Sequence, residues 1–275
     1  MSSKNILLEN HNGVLLLKKH FNQESNWRSD DSYKFISPLR GAVYYQTNKN
    51  QITLINQQFI LFNPQEEHKQ LAIDDRKFLI ELKPSFLNEV SHELYSLHHD
   101  IQFATSVQKN PQISNWINFV LDFIQSEIED TRSMKLFLEN SFTQLTLLLL
   151  KNTVGTHIEE INVSPYKTIA PQLYKTLLAI KENYQHAWTL DEMAEISCLS
   201  KFQFSHYFKE ILGISPYSWL QIYRVVRSQE MLKKTNKTIL KIAMDCGFSS
   251  VTVYNHLFKR LYGITPGTFR EMVNK

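Results

Sequence analysis

The sequence predicts an α+β protein, with a small antiparallel β-barrel and following helices, then an all-α domain of two helix-turn-helix motifs joined by a long helix. Three observations predict this arrangement. Short apolar runs separated by turn residues occupy the first part, apolar residues then recur at helical spacing, and a segment of the last hundred residues occurs twice. A length of 275 residues is also more than one compact domain usually needs.

The first part of the chain reads as strands. Residues 51–56 (QITLIN) alternate between apolar and polar side chains, and residues 59–62 (FILF) are apolar on both faces. Residues 48–50 (NKN) are typical of a hairpin turn, and Asn63–Pro64 ends the following strand. Several short strands bounded by turns predict a small antiparallel barrel.

Helices follow these strands. Apolar residues recur at helical spacing after Pro84, and Pro111 opens an amphipathic helix. A third helix, from about Met134 to Asn152, ends in four successive leucines, Leu147–Leu150. Four leucines occupy every face of a turn, so they are either buried within the domain or covered in part by a partner chain. Both interpretations stay open, and the second predicts a homodimer through the helices between Pro111 and Lys151.

Charge divides the chain into two parts. The residues from Pro171 onward contain 14 Lys and Arg against 8 Asp and Glu, whereas the first 170 contain 16 against 19. A basic last part favours a polyanionic partner there, although basic surfaces are common. Gly155, Pro165 and scattered polar residues precede it. We therefore predict a first domain over 1–152, a linker over 153–170 and a second domain over 171–275.

The second domain contains a diverged duplication. Residues 208–216 (FKEILGISP) return as 258–266 (FKRLYGITP), fifty residues later. Residues 189–194 (TLDEMA) return as 238–243 (TILKIA), forty-nine residues later. The two spacings differ by one because the second copy has one extra residue in the turn between its two helices.

Each copy has the signals of two short helices and a tight turn. Capping boxes are predicted at Thr189–Glu192 and Ser200–Gln203. Gly213 and Gly263 stand where a helix ends in a left-handed residue, and a Ser-Pro or Thr-Pro pair then opens the next helix. This pattern describes a helix-turn-helix, and its repetition at matched spacing makes the signal strong.

These residues resemble the DNA-binding domain of the AraC/XylS transcription regulators from about Pro171 to the C-terminus. The motifs that carry the resemblance are Ser200, Phe208–Lys209, Gly213–Pro216, Arg224 to Leu232, Ile242–Ala243, Gly247–Phe248, Phe258–Lys259, Gly263–Pro266 and Phe269–Arg270. The first domain is similar, more loosely, to the cupin-like sensor barrel of that family. Arg40–Gly41, Phe62–Asn63–Pro64 and His68 carry this second resemblance.

The resemblance implies a transcription regulator, commonly an activator that responds to a small molecule. Double-stranded DNA and RNA polymerase are its implied partners. Two cysteines without a paired framework fit a reducing cytoplasm. The residues from Pro216 to Lys234 contain no internal glycine or proline and predict a helix about 28 Å long at 1.5 Å per residue. A rod of that length separates two recognition helices by about one turn of the duplex, roughly 34 Å, which places both in the major groove on one side.

The family's base-reading positions fall near the start of the second helix of each motif. They correspond to Lys201, Phe202, Ser205, His206, Val251, Thr252, Asn255 and His256. Phosphate contacts are expected from Lys209, Arg224, Arg227, Lys259 and Arg270. The family often has arginine where this chain has His206 and His256, and a neutral imidazole cannot grip guanine with two donors, so these histidines either read bases or are merely solvated. Phe208 and Phe258 are predicted core anchors.

A metal-dependent cupin enzyme is the rival interpretation. It needs three or four convergent histidines and carboxylates, and the predicted barrel offers His68 alone at a suitable strand end. The sequence contains no Gly-x-Ser-x-Gly motif and no phosphate-binding glycine loop. We therefore expect no catalytic residues, no metal and no cofactor.

Whether the barrel binds a small molecule or serves only for dimerisation stays open. The candidate pocket residues are Trp27, Tyr33, Arg40, Tyr44 and His68. A close arginine favours an anionic ligand.

The apolar runs are too short for a signal peptide or a membrane span, so we expect no membrane association. Cys198 and Cys246 show no paired framework, and we expect both to be buried in the corners of the motifs.

Overall fold

The computed structural model describes residues 5–21, 24–48, 50–95, 100–126, 131–158 and 160–274. The chain divides into two compact units, one formed by residues 1–100 and 105–151 and the other by residues 101–104 and 152–275. Lys49, the central residue of the predicted hairpin turn, lies outside the described residues.

The first unit is built on an antiparallel sheet. Its described strands are β1 (Ile6–Asn10), β2 (Gly13–Phe21), β3 (Tyr33–Arg40), β4 (Val43–Thr47), β5 (Gln51–Leu54), β6 (Gln58–Phe62), β7 (His68–Leu82) and β8 (Gln108–Lys109). They pair in the order β1-β2-β7-β3-β6-β8, and β4 joins β5 to β7. Among the described residues these pairings do not close into a ring. The antiparallel sheet is confirmed, and closure into a barrel stays a prediction.

The long strand β7 organises this sheet because it pairs with β2, β3 and β4. Its register with β4 shifts at a bulge, where Tyr44 pairs with Ala72 but Tyr45 pairs with Gln70. A bulge of this kind reverses which side chains point to each face. Over residues 77–80 the side chains on both faces of β7 are buried, and Phe78 packs edge-on against Trp116.

Three helices complete the first unit: α1 (Pro84–Tyr95), α2 (Pro111–Ser126) and α3 (Thr131–Asn152). The Asn110 side chain accepts hydrogen bonds from the backbone N–H groups of Gln112 and Ile113, which caps α2 where Pro111 begins it. Of the four leucines that end α3, Leu149 and Leu150 are buried, whereas the other two are half-buried. This turn is therefore largely but not wholly covered within its own chain.

The second unit contains the predicted duplication. Its described helices are α4 (Tyr166–Ile169), α5 (Pro171–Glu182), α6 (Leu190–Ile196), α7 (Lys201–Leu212), α8 (Pro216–Lys234), α9 (Ile239–Asp245), α10 (Val251–Tyr262) and α11 (Pro266–Val273). We call α6–α7 the first motif and α9–α10 the second motif. Each motif has its own apolar cluster, and α8 contributes to both, with Leu220 in the first cluster and Val225 in the second.

The structure differs from the prediction of a separate linker over residues 153–170. These residues belong to the second unit. Val163, Tyr166 and Ala170 are buried in the apolar cluster of the first motif. The difference arises because the few apolar side chains in this polar stretch find a surface to cover, and composition alone does not reveal that.

A short two-stranded element also belongs to the second unit, and we call residues 101–104 and 154–157 the strap. Phe103 and Gly155 form an antiparallel bridge. The Ala104 N–H donates to the Val154 carbonyl (2.8 Å), and the Thr156 N–H donates to the Gln102 carbonyl (2.9 Å). Residues 101–104 precede α2 in the chain, yet Ala104 is part of the apolar cluster of the second motif.

Candidate nucleic-acid interface

Both helices of the first motif begin with the predicted capping boxes. The Thr189 hydroxyl accepts a hydrogen bond from the Glu192 N–H (3.2 Å), and the Thr189 N–H donates to Glu192 Oε2 (2.7 Å). Ser200 and Gln203 repeat this reciprocal pair at the start of α7. Because two orphan N–H groups are satisfied at each start, the local sequence is enough to define where these short helices begin.

The second motif is capped by single hydroxyl groups. Thr238 accepts from the Lys241 N–H at the start of α9, and Ser250 accepts from the Thr252 N–H at the start of α10. We call the second helix of each motif, α7 and α10, its recognition helix. Both end at a left-handed glycine, as predicted, because φ is 80° at Gly213 and 76° at Gly263.

The turns of the two motifs differ at their left-handed residue. Cys198 occupies it in the first motif with φ 53°, and Gly247 occupies it in the second with φ 84°. Cys246, one position earlier, is buried, and burial raises its pKa to about 12. The expectation that both cysteines fill a corner is therefore wrong for Cys198, which is exposed. Ser197, not Cys198, stands at the buried position equivalent to Cys246.

The predicted rod, α8, is one continuous helix over Pro216–Lys234. The predicted anchors are confirmed, since Phe208 and Phe258 are fully buried. Phe208 packs edge-on against Trp219 of α8, and Phe258 packs against Phe269 of α11. Each recognition helix is thus held by an aromatic contact to the helix that follows it, which leaves its opposite face to solvent.

The predicted base-reading residues of the first motif lie at the solvent-facing start of α7. Phe202 is 83% exposed, which is unusual for a large apolar side chain. Lys201 and His206 are also exposed, and Ser205 is half-buried. Lys201 Nζ forms an ion pair with Asp191 (2.9 Å), so a contact of this lysine with DNA requires exchange of partners.

The corresponding residues of the second motif lie at the start of α10. Thr252 and His256 are exposed, and Val251 and Asn255 are half-buried. Asn255 Oδ1 is shielded from solvent and has no hydrogen-bond partner among the described residues. An unsatisfied amide gains by rotating toward a donor, and the edge of a base supplies one.

The predicted phosphate contacts fall into two groups. Lys209 and Lys259 are exposed on the recognition helices. Arg270 is half-buried and donates from Nη2 to the Lys237 carbonyl (2.7 Å). Arg227 is also partly buried, with Nη2 2.8 Å from a Glu230 carboxylate oxygen. The two lysine side chains are therefore exposed to solvent, whereas the two arginine side chains are partly buried and contact protein groups.

Arg224 is not available to phosphate, which corrects the prediction. Its side chain is buried (4% exposed). Nε donates to the Tyr184 carbonyl and Nη2 to the His186 carbonyl, both at 2.7 Å, and burial lowers the pKa of the guanidinium. Arg224 ties α8 to the loop that precedes α6. From the sequence alone, an arginine in a basic helix is expected to be a surface cation. No sequence pattern indicates the two carbonyl groups to which Arg224 donates.

The five predicted pocket residues of the first unit differ in burial. Tyr33 and His68 are buried, whereas Trp27 is exposed. Tyr44 is half-buried and donates from its hydroxyl to Asp74 (3.3 Å). The Arg40 side chain is 85% exposed and forms an ion pair with Asp75 (3.4 Å), so it does not line an interior site.

A buried polar cluster, which the sequence did not reveal, lies among the strands of the first unit. Lys77 Nζ donates to the Tyr45 hydroxyl (2.8 Å) and to Gln70 Oε1 (2.6 Å). His68 stacks on Phe62, and His68 Nδ1 lies 2.8 Å from the Glu66 carbonyl oxygen. Burial lowers the pKa of Lys77 well below its usual value and that of His68 to about 4. The bulge in β7 turns His68, Gln70 and Lys77 to one side, which strict alternation does not predict.

No group of three or more His, Cys, Asp or Glu side chains in the described part of the chain is arranged to hold a metal ion. None of the described helices combines the length and the apolar character that crossing a bilayer requires.

The chain is similar to transcription regulators. A family model described as a helix-turn-helix domain matches residues 193–272. The HTH-type transcriptional regulator ArgR of Pseudomonas aeruginosa is 32% identical over 35% of this chain and 29% of its own length. The RCS-specific HTH-type transcriptional activator RclR of Escherichia coli is 25% identical over 58% of this chain and 57% of its own length. The virulence regulon transcriptional activator VirF of Yersinia enterocolitica is 27% identical over 70% of each chain.

The chain spans less than a third of ArgR and just over half of RclR. The family model begins at Met193, inside α6, and extends to Glu271–Met272 of α11. It thus covers both recognition helices and the helix that joins the two motifs. The relatives are regulators of transcription and not enzymes, so the rival interpretation of a metal-dependent enzyme is set aside.

Proposed function

Because the chain belongs to the AraC/XylS family of DNA-binding transcription regulators, we propose that it reads one DNA site with two recognition helices in adjacent major grooves. The observation that supports this most is one continuous helix, Pro216–Lys234, between two motifs with matched anchors. A helix of that length is about 28 Å long, close to the roughly 34 Å between successive major-groove entries on one side.

The test is to select bound duplexes from a random pool and to footprint the full-length protein on the selected site. Two protected segments about one helical turn apart, within roughly 15–20 base pairs, are expected for each monomer. Protection of a single groove would contradict the proposal. Competition with unrelated duplexes at several salt concentrations separates specific from non-specific binding.

We propose distinct readers in the two motifs. Phe202 offers an apolar surface to a thymine methyl group, and Asn255 offers a carboxamide that suits adenine. His206 and His256 supply one hydrogen bond each, which is weaker than the bidentate contact of arginine with guanine. Lys201, Ser205, Val251 and Thr252 complete the two sets, and Lys209 and Lys259 bind phosphates.

We propose that the regulatory output is activation through contact with RNA polymerase, inside the cell where the DNA lies. Two relatives, RclR and VirF, carry the description of transcriptional activators. The test is transcription in vitro from a template that carries the selected site. A higher yield of transcript on addition of the protein supports activation, and a lower yield indicates repression.

We propose that α2 and α3 form a homodimer interface. Phe119 and Leu136 are apolar yet 53% and 57% exposed. Phe119 packs against Phe137, which stacks on Phe123, so the exposed groups adjoin a larger apolar surface. Light scattering of the wild type and of a Phe119→Lys variant tests this proposal. A dimer that the substitution converts to a monomer supports it, and a monomeric wild type contradicts it.

We propose that the first unit is a cupin-like barrel that responds to a small anionic molecule. The buried Lys77 amine supports this proposal, because both of its hydrogen-bond partners are neutral groups and an anion would stabilise its charged form. The alternative is a regulator without a ligand. Thermal-shift screening of the full chain with single sugars and single carboxylates discriminates between them. Stabilisation by a carboxylate that is lost in Lys77→Met supports the proposal, and no stabilisation by any compound favours the alternative.

A further inference from the structure

The strap contributes to the apolar cluster of the second motif and not, among the described residues, to that of the first. Ala104 is fully buried within the second cluster, and Val154 packs against it. The cluster of the first motif receives its own contribution from Val163, Tyr166 and Ala170, which follow the strap in the chain. The two motifs therefore have different supports, although their sequences are repeats.

The strap is closely packed. Phe103 is fully buried, and its ring meets the His157 ring edge-on with centroids 5.3 Å apart. A Cβ added at Gly155 would lie 2.6 Å from His157 ring atoms and 3.1 Å from the Gln102 carbonyl oxygen. A larger residue at position 155 must displace the His157 ring, which contacts Phe103, and it presses against the Gln102 carbonyl of the other half of the strap.

One side chain links the strap to the second recognition helix. Gln229 of α8 is fully buried, and its Nε2 donates to the Gly155 carbonyl (3.3 Å) and to the Tyr262 hydroxyl (2.8 Å). Tyr262 is the last residue of α10 and is itself buried. Because buried polar groups must keep their hydrogen bonds, displacement of Gly155 leaves one amide proton of Gln229 without its acceptor.

The course of the chain connects the strap to the helices of the first unit. The chain leaves the strap at Ala104, forms β8, α2 and α3, and returns to the strap at Val154, two residues after α3 ends at Asn152. The two halves of the strap thus flank, in the chain, the helix pair that we propose as the dimer interface. Because only Thr153 lies between α3 and the strap, a movement of this end of α3 is passed along the chain to the strap.

We propose that Gln229 and the strap are positioning elements for α10, so that events at α2 and α3 change DNA binding by the second motif and leave the first motif unchanged. This inference rests on the proposed DNA-binding function. The strap is the element through which the first half of the chain regulates binding. The half-site that it affects is the one bound by the second motif. Signals that loosen the strap weaken one half-site and turn a two-groove contact into a one-groove contact.

The test uses the full chain and quantitative footprinting on a duplex that carries both half-sites. Gly155→Ala displaces the His157 ring within the strap and presses against the Gln102 carbonyl. Gln229→Leu removes the link between the strap and Tyr262 while leaving the backbone pairing of the strap in place. We expect both to weaken protection of the second motif's half-site about tenfold and to change the first by less than about twofold.

A matched control lies beside the first motif, where the hydroxyl of Thr176 in α5 is 2.6 Å from the Ser197 hydroxyl in the turn of the motif and both residues are buried. Thr176→Val removes a buried hydrogen bond of similar kind, and we expect it to weaken the first half-site instead. Equal losses at both half-sites in the Gly155 and Gln229 variants would overturn the role of the strap. Failure of the wild type to bind any duplex would contradict the proposed function itself.

A second measurement needs no variant. Coupling between two sites is reciprocal, so a duplex that binds the second motif must stabilise the strap by the same factor. We expect hydrogen exchange at the Ala104 and Thr156 amides to slow about tenfold when a duplex with only the second half-site is added. The Phe204 amide of the first motif, which donates to the Ser200 carbonyl, serves as the reference. Unchanged exchange at the two strap amides would also overturn the proposal.

Discussion

Arg224 and Gly247 meet on the same short loop, residues 184–186. Arg224 donates from Nε and Nη2 to the first and last carbonyls of this loop. A Cβ at Gly247 would lie 2.7 Å from the Gln185 carbonyl oxygen and 3.0 Å from Arg224 Nη2. The turn of the second motif therefore lies against the loop that leads into the first motif. The two motifs are held in place by this contact as well as by α8.

Gly247→Ala is expected to destabilise the second unit and to weaken DNA binding at both half-sites. The left-handed φ of 84° strains alanine, and the added methyl group clashes with backbone atoms of Gln185. Together these effects are worth about 2–3 kcal/mol of the free energy of unfolding. Urea unfolding followed by circular dichroism measures the loss.

Gly263→Ala is the matched control for this change. It has a similar φ of 76°, but nothing lies within 4 Å of its added Cβ. The control is therefore expected to cost only about 1 kcal/mol, from backbone strain alone. Equal losses in the two variants would contradict the close approach at Gly247.

Arg224→Lys is expected to destabilise the protein by about 2–3 kcal/mol although it keeps the charge. Lysine cannot reproduce the planar fork that reaches two carbonyls, so at least one buried acceptor loses its donor. The salt dependence of DNA binding is expected to stay unchanged, because this side chain does not meet phosphate. Lys209→Ala should do the opposite, with a shallower salt dependence and unchanged stability. A shallower salt slope in Arg224→Lys would restore the phosphate interpretation.

Asn255→Ala and His256→Ala are expected to relax preference at particular base pairs, each by about 1–3 kcal/mol for a good contact. Lys259→Ala should weaken binding to every sequence about equally, because phosphate contacts carry no sequence information. Binding to a panel of single base-pair variants of the selected site separates these outcomes. Uniform losses from the first two substitutions would remove both residues from the base-reading set.

Acid is expected to destabilise the first unit through His68. Burial lowers the pKa of His68 to about 4 in the folded protein, whereas it is about 6.5 in an unfolded chain. Between these values the unfolded chain binds a proton that the folded protein does not, so the free energy of unfolding decreases as pH falls from about 6.5 to 4. The loss approaches roughly 3 kcal/mol at the lower end.

His68→Phe is the variant that isolates this effect, since phenylalanine keeps a ring against Phe62 but does not titrate. Urea midpoints of both proteins are compared at pH 7 and pH 4.5. The wild type should lose more stability than the variant over this interval. Parallel losses would mean that His68 is not the group responsible.

The local features of the second unit could be predicted from the sequence alone. Capping boxes, left-handed glycines and proline at the first helical turn act over a few residues, so they define where α6, α7 and α8 begin and end. The duplication predicted that the motif occurs twice. The expected burial of Phe208 and Phe258 predicted which face of α7 and of α10 packs inward. The antiparallel sheet of the first unit followed in the same way from alternation and turns.

Tertiary structure decided which polar and charged residues are buried. Arg224 is inside because two carbonyls from a distant loop reach it, and Lys77 is inside because a bulge turns it there. Residues 101–104 and 153–170 join the second unit because complementary surfaces are available to them. Each of these outcomes depends on partners far away in the chain. A sequence pattern records the short-range preferences of a residue and carries no information on which distant group will meet it.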